Sequence, residues 1–220
     1  HCICGGENTV GGHTTHQAAD YQPWNGSDAI SYTDGKAYVY LTDNATINSN
    51  LVVDGTTLYL CLNGKEYASN GTNKIQVKNS GHLVLCDCGE SGVIKCATNG
   101  WGGMGIYIYT GTVDIFGGKF TGGSVTGKGG GGAIALEDNS STLNIYGGEI
   151  SGNNGNGKGG AIYTKSGGTI NMYGGRIAQN KAYRGGGLCL NGSGTLNMYG
   201  GLIENNSSTA SWDTIPAVSY

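Results

Sequence analysis

The chain of 220 residues carries 44 glycines but only two prolines, 12% charged residues and a formal charge of −3. Glycine without a strict three-residue period and without abundant proline excludes collagen, and the low charge excludes a solvated charged tail. Two arginines, Arg176 and Arg184, are too few for a phosphate-binding face, and no apolar run approaches the roughly 20 residues that span a bilayer, so neither nucleic acid nor membrane insertion is expected.

Residues 1–35 do not repeat and are expected to form a Cys/His-containing cap or clip. No basic n-region with an apolar h-region opens the chain, so it reads as a soluble, mature or excised segment. The opening HCICGGENTVGGHTTH places Cys2 and Cys4 ahead of His13 and His16, two thiolates and two imidazoles that suit tetrahedral zinc. The C-x-C and His-x₂-His spacings are tighter than the usual zinc pattern, and His1 is a spare donor. A zinc ion held by all four would be a structural clip; the alternative is a disordered or disulfide-bonded leader.

From residue 36 to 220 the chain repeats. TVDIFGG, TLNIYGG, TINMYGG and TLNMYGG begin at Thr112, Thr142, Thr169 and Thr195, with steps of 30, 27 and 26 residues. An apolar position follows each glycine pair (Phe120, Ile150, Ile177, then Leu202-Ile203), and a third apolar segment follows around Ile134, Ile162 and Leu188. Weaker copies start at Thr57 and His82. Three short strands per coil and about seven coils are implied, the first beginning near Lys36.

Side chains of a strand alternate faces, so Leu58, Leu83, Val113, Leu143, Ile170 and Leu196 should form one interior column, with Leu60, Leu85, Ile115, Ile145, Met172 and Met198 beside it. No segment sustains a 3.6-residue apolar period, which argues against a helical solenoid. The glycine pairs are expected at sharp turns with positive φ. Asn153, Asn180 and Asn206 recur at one turn and are expected to stack as an inner ladder satisfying backbone groups.

Phe116, Tyr146, Tyr173 and Tyr199 fall on one outward column. They offer either an aromatic platform for sugar rings or stacking that merely steadies adjacent coils. Tyr107 and Tyr163 suggest a second, thinner stripe. Cys61 and Cys86 should face outward on the first column, close enough for a disulfide, and Cys88 with Cys96 could close a short loop. Lys119, Glu149 and Arg176 share a position and read as a surface charge ladder. Asp114 is the one carboxylate in a column of asparagines, where a glycosidase-type site needs two.

The TLNMYGG-type block, the I-x-x-N that follows it and the GGAIY or GGGLC return resemble the right-handed parallel β-helices of the pectate-lyase-like superfamily. More narrowly, they resemble Gly-rich β-helix segments of secreted or surface proteins of gut Firmicutes. The resemblance covers about residue 36 to the end. It implies an all-β, right-handed parallel β-helix at a bacterial surface or secreted from it, joined to further domains of the same polypeptide. The paired aspartates and Gly-His-Gly of the polygalacturonases are missing. The expectation is therefore a noncatalytic module for adhesion, binding a glycan or a host or bacterial surface protein. The alternatives are a polysaccharide-active lyase or hydrolase and a structural stalk.

Overall fold

A computed structural model describes residues 9–10, 13–14, 21–88, 90–100, 104–126, 130–210 and 218–219. The fold is an all-β parallel solenoid of about six turns. Three parallel sheets of eight, seven and seven strands run along it, and each coil contributes one strand to each sheet in turn. The sequence suggested about seven coils; seven stacked strands enclose six steps from coil to coil. Among the described residues there is no helix, and so none long and apolar enough to cross a membrane.

The alternation fixes the register. Thr57, His82, Thr112, Thr142, Thr169 and Thr195 pair in succession along the first sheet, so Leu58, Leu83, Val113, Leu143 and Ile170 stack inward with no exposed surface. Leu60, Leu85, Ile115, Ile145 and Met172 stack beside them. Tyr67, Ile94, Phe120, Ile150 and Ile177 extend the core from the second sheet; Ile75, Ile106, Ile134, Ile162 and Leu188 do so from the third. Each such side chain contributes about 1.5–3 kcal/mol by leaving water. In the last coil the inward Met198 is 51% exposed.

At the other end the strand Gln22–Trp24 pairs in parallel with Val39–Leu41, so the first sheet begins inside the non-repeating segment. Trp24 is buried, packs edge-on against Tyr67 at 5.6 Å and donates its indole N–H to the Asp28 carbonyl at 2.9 Å. It closes the first coil over the core. Thr9–Val10 and His13–Thr14 form a separate antiparallel pair.

The two glycines of each GG pair do different work. The second, as at Gly148 (φ 80°) and Gly175 (φ 77°), takes the left-handed conformation expected of a turn. The first is needed because coils approach closely: a Cβ on Gly147 would lie 2.5 Å from the Phe116 carbonyl oxygen of the preceding coil.

The asparagine ladder forms as expected. Asn153 and Asn180 are buried, and each donates from Nδ2 to two carbonyls, Phe120 and Ser151 for the first, Ile150 and Ala178 for the second. Asn206 donates to the Ile177 carbonyl at 2.9 Å. Each amide thereby adds side-chain donors to carbonyls at the end of the second sheet's strands, where its own buried polar atoms find their partners.

Candidate functional site

The outward face of the first sheet carries three parallel columns, set by the registers that stack the core. One runs Lys36, Thr57, His82, Thr112, Thr142, Thr169 and Thr195. The middle one runs Tyr38, Tyr59, Val84, Asp114, Asn144, Asn171 and Asn197. The third holds Tyr40, Cys61 and Cys86, and continues with the residue after each strand's last inward position, Phe116, Tyr146, Tyr173 and Tyr199.

The four aromatic residues singled out from the sequence do come together. Their ring centroids lie 4.5, 4.9 and 4.9 Å apart, with interplanar angles of 5°, 5° and 8°. Face-to-face stacking at the coil spacing spends the ring faces on one another and leaves only ring edges and substituents for other contacts. Tyr146 is only 8% exposed and Tyr199 68%. Burial pushes the Tyr146 hydroxyl up to about 12, so it is a neutral hydrogen-bonding group at any physiological pH.

Beside the rings runs an amide ladder with one sense. Asn197 Nδ2 donates to Asn171 Oδ1 at 2.9 Å, Asn171 Nδ2 to Asn144 Oδ1 at 2.8 Å, and Asn144 Nδ2 to Asp114 Oδ1 at 2.7 Å. The other Asp114 oxygen lies 2.8 Å from His82 Nε2. Chained amides polarise one another, and the chain ends on a carboxylate that accepts from both sides. A carboxamide has two N–H groups and two lone pairs, so after the ladder is made Asn144 and Asn171 each retain one of each. The lone carboxylate of the column thus terminates a hydrogen-bond chain, a role that alternation alone did not reveal.

The cysteines differ from expectation. Cys61 and Cys86 do pair in register on the outer side of the sheet, yet they are 0% and 3% exposed, because Tyr21, Tyr40 and Phe116 pack over them. Cys88 does not approach Cys96. Cys96 points into the core, where burial pushes its thiol up to about 12, whereas Cys88 lies on an exposed turn with its Sγ 3.5 Å from that of Cys61. The Sγ atoms of Cys61, Cys86 and Cys88 all fall within 4.8 Å of one another, a set that could hold a metal ion. Of the N-terminal zinc set, Cys2, Cys4 and His16 lie outside the described residues, as does the His13 side chain.

On the second sheet the charge ladder forms as paired surface groups. Glu149 lies 3.1 Å from Lys119 and 3.5 Å from Arg176, and Arg176 reaches Glu204 at 2.9 Å. A hydrogen bond from Ser151 is the largest influence holding the Glu149 carboxyl below its ordinary value; burial opposes it, and Lys119 and Arg176 add to the lowering. On the third sheet the second aromatic stripe is broken, since Ala135 stands between Tyr107 and Tyr163. Tyr107 instead donates its hydroxyl to Glu137, which also pairs with Lys165.

Comparisons with protein-family models, curated proteins and solved structures give no match to this chain.

Proposed function

We propose that this chain is a noncatalytic binding module of a secreted or cell-surface bacterial protein, a β-helix of the pectate-lyase-like kind resembling those of gut Firmicutes, and that it recognises an extended glycan along the outer face of its first sheet. The observation that carries this reading is the one-directional ladder from Asn197 to Asp114 beside the stacked tyrosines, which repeats the same amide on three successive coils. A linear glycan repeats hydroxyls in the same manner, so one contact per coil extends along the rod. The carboxylates on this side are already committed: Asp114 to His82 and Asn144, and Asp87 to two backbone amides. Within the same reading, Cys2, Cys4, His13 and His16 hold a structural zinc that clips the N-terminal segment.

The test is a glycan array probed with the wild type and with Asn171→Ala and Tyr199→Ala. Binding to a linear glycan that either substitution weakens at least tenfold is the expected result. Recognition of a surface protein instead, or of no ligand, would overturn the glycan assignment, the second outcome in favour of a stalk. The His82–Asp114 pair favours one competing reading, a polysaccharide-active lyase or hydrolase. Chain cleavage lost with His82→Ala would establish it.

A further inference from the structure

We propose that Cys61, Cys86 and Cys88 form a three-thiolate site for one thiophilic divalent cation, with Zn²⁺ the natural probe, independent of the N-terminal Cys/His set and of the glycan reading. Three observations place the donors. Register stacks Cys61 directly on Cys86 in neighbouring coils. Cys88 follows two residues later on the turn that leaves the strand, and this turn is fastened at both sides: Asp87 Oδ1 accepts from the Gly64 N–H of the coil below at 2.7 Å, and Oδ2 from the Gly92 N–H of its own coil at 2.6 Å. The carboxylate therefore acts as a clamp that holds Cys88 over Cys61, where the two sulfurs stand 3.5 Å apart.

The sulfur geometry suits a metal better than a disulfide. A tetrahedral zinc–thiolate centre with Zn–S near 2.3 Å has S···S edges of about 3.8 Å. The three sulfurs lie within 4.8 Å of one another, so sub-ångström adjustments bring all three to one ion. An S–S bond requires about 2.05 Å and would engage two of the three, leaving the third thiol beside it.

Surroundings decide the kind of site. Tyr21, Tyr40 and Phe116 close two of the thiols off from water, while Cys88 is exposed, so the ion would be reached from the side of the 87–88 turn. Three soft donors select Zn²⁺ and its thiophilic neighbours over Mg²⁺ or Ca²⁺. Three protein ligands leave one coordination position for water or an incoming donor. Because the ligands come from two successive coils, a bound ion ties those coils together, and binding to the folded state alone raises its stability by mass action.

The experiment uses the full chain carrying Cys2→Ser and Cys4→Ser, reduced and metal-free under anaerobic conditions, titrated with Co²⁺ and then with Zn²⁺. The expected result is one equivalent of Co²⁺ with thiolate-to-cobalt charge-transfer absorption, displaced by Zn²⁺, and a melting temperature that rises with Zn²⁺. Adding Cys88→Ser, at an exposed turn where the fold is kept by circular dichroism, should weaken binding at least tenfold; Cys61→Ser should do likewise and Cys189→Ser should not. No charge-transfer absorption in the Cys2→Ser/Cys4→Ser background, or absorption indifferent to Cys88→Ser, would overturn the site.

Discussion

Asn180 Oδ1 accepts a hydrogen bond from the Asn153 backbone N–H at 3.0 Å and shares the Asn153 Nδ2 donors, also at 3.0 Å, with two carbonyls, inside a bend that water does not reach. Its own Nδ2, with two N–H groups, lies 2.8–2.9 Å from three acceptors, the carbonyls of Ile150 and Ala178 and Asn206 Oδ1, so its two donors are shared among them. Asn180→Ala therefore strands donors on one coil and acceptors on two. Each buried unsatisfied group costs about 1–3 kcal/mol, so the loss should be at least about 3 kcal/mol. Asn180→Asp should not rescue it, because the carboxylate keeps the acceptor but loses the donors and adds a buried charge. Equilibrium urea unfolding checks both; a change below about 1 kcal/mol would contradict the ladder's role.

Glycine tolerance should divide by mechanism. At Gly122 (φ 78°) the nearest atom to an added Cβ is a Lys95 side-chain carbon 4.0 Å away, so Gly122→Ala meets only the left-handed backbone penalty of about 1–2 kcal/mol. At Gly160 a Cβ would lie 1.9 Å from the Gly186 carbonyl oxygen and 2.7 Å from the Lys181 nitrogen, both backbone of the next coil. Gly160→Ala must push two coils apart, and soluble folded protein should be lost or its melting temperature should fall far more than for Gly122→Ala. Equal effects at the two sites would refute the distinction.

How far the sequence carries depends on whether a feature repeats. The inward columns were readable because alternation and a 26–30-residue step set Leu143 on Val113 and Ile170 on Leu143 without further information. Asn153 and Asn180 were readable for the same reason. The thiol triad was not: Cys88 belongs to no repeat position, and only the Asp87 clamp returns it to Cys61. The burial of Cys61 and Cys86 depends on Tyr21, a residue outside the repeat. The role of Gly147 was hidden because sequence reports a turn, not the distance between the backbones that the turn brings together.

Glu149 gives a pH dependence of definite sign. Its carboxyl is held below the ordinary value of 4.5 by Ser151, Lys119 and Arg176, so near that value the unfolded chain binds more protons than the folded one. Stability from this group is then complete above the ordinary value and is lost as pH falls through the folded one. Wild type should melt higher than Glu149→Gln at neutral pH, and the gap should close in acid. Because the group is partly exposed, added salt should narrow the neutral-pH gap as well. A gap that persists unchanged in acid would assign the difference to packing.

The stacked aromatic column separates a structural from a recognition role by position. Tyr146 lies between Phe116 and Tyr173, with ring centroids at 4.5 and 4.9 Å, and is 8% exposed. Tyr146→Ala removes contacts on both faces and should cost about 2–4 kcal/mol, toward the range of large-to-small aromatic truncation in cores. Among the described residues Tyr199 stacks on Tyr173 alone, and it is 68% exposed, so Tyr199→Ala should cost less than about 1 kcal/mol. If the column only steadies the coils, ligand binding should follow these stabilities and survive Tyr199→Ala. If its outer edge recognises a glycan, Tyr199→Ala should weaken binding while leaving the melting temperature nearly unchanged. Tyr173→Phe, which keeps the stack and removes only a hydroxyl, should then weaken binding too. Measured side by side, thermal melts and glycan affinities for the three variants distinguish the two roles: stability and affinity fall together in the first and separate in the second.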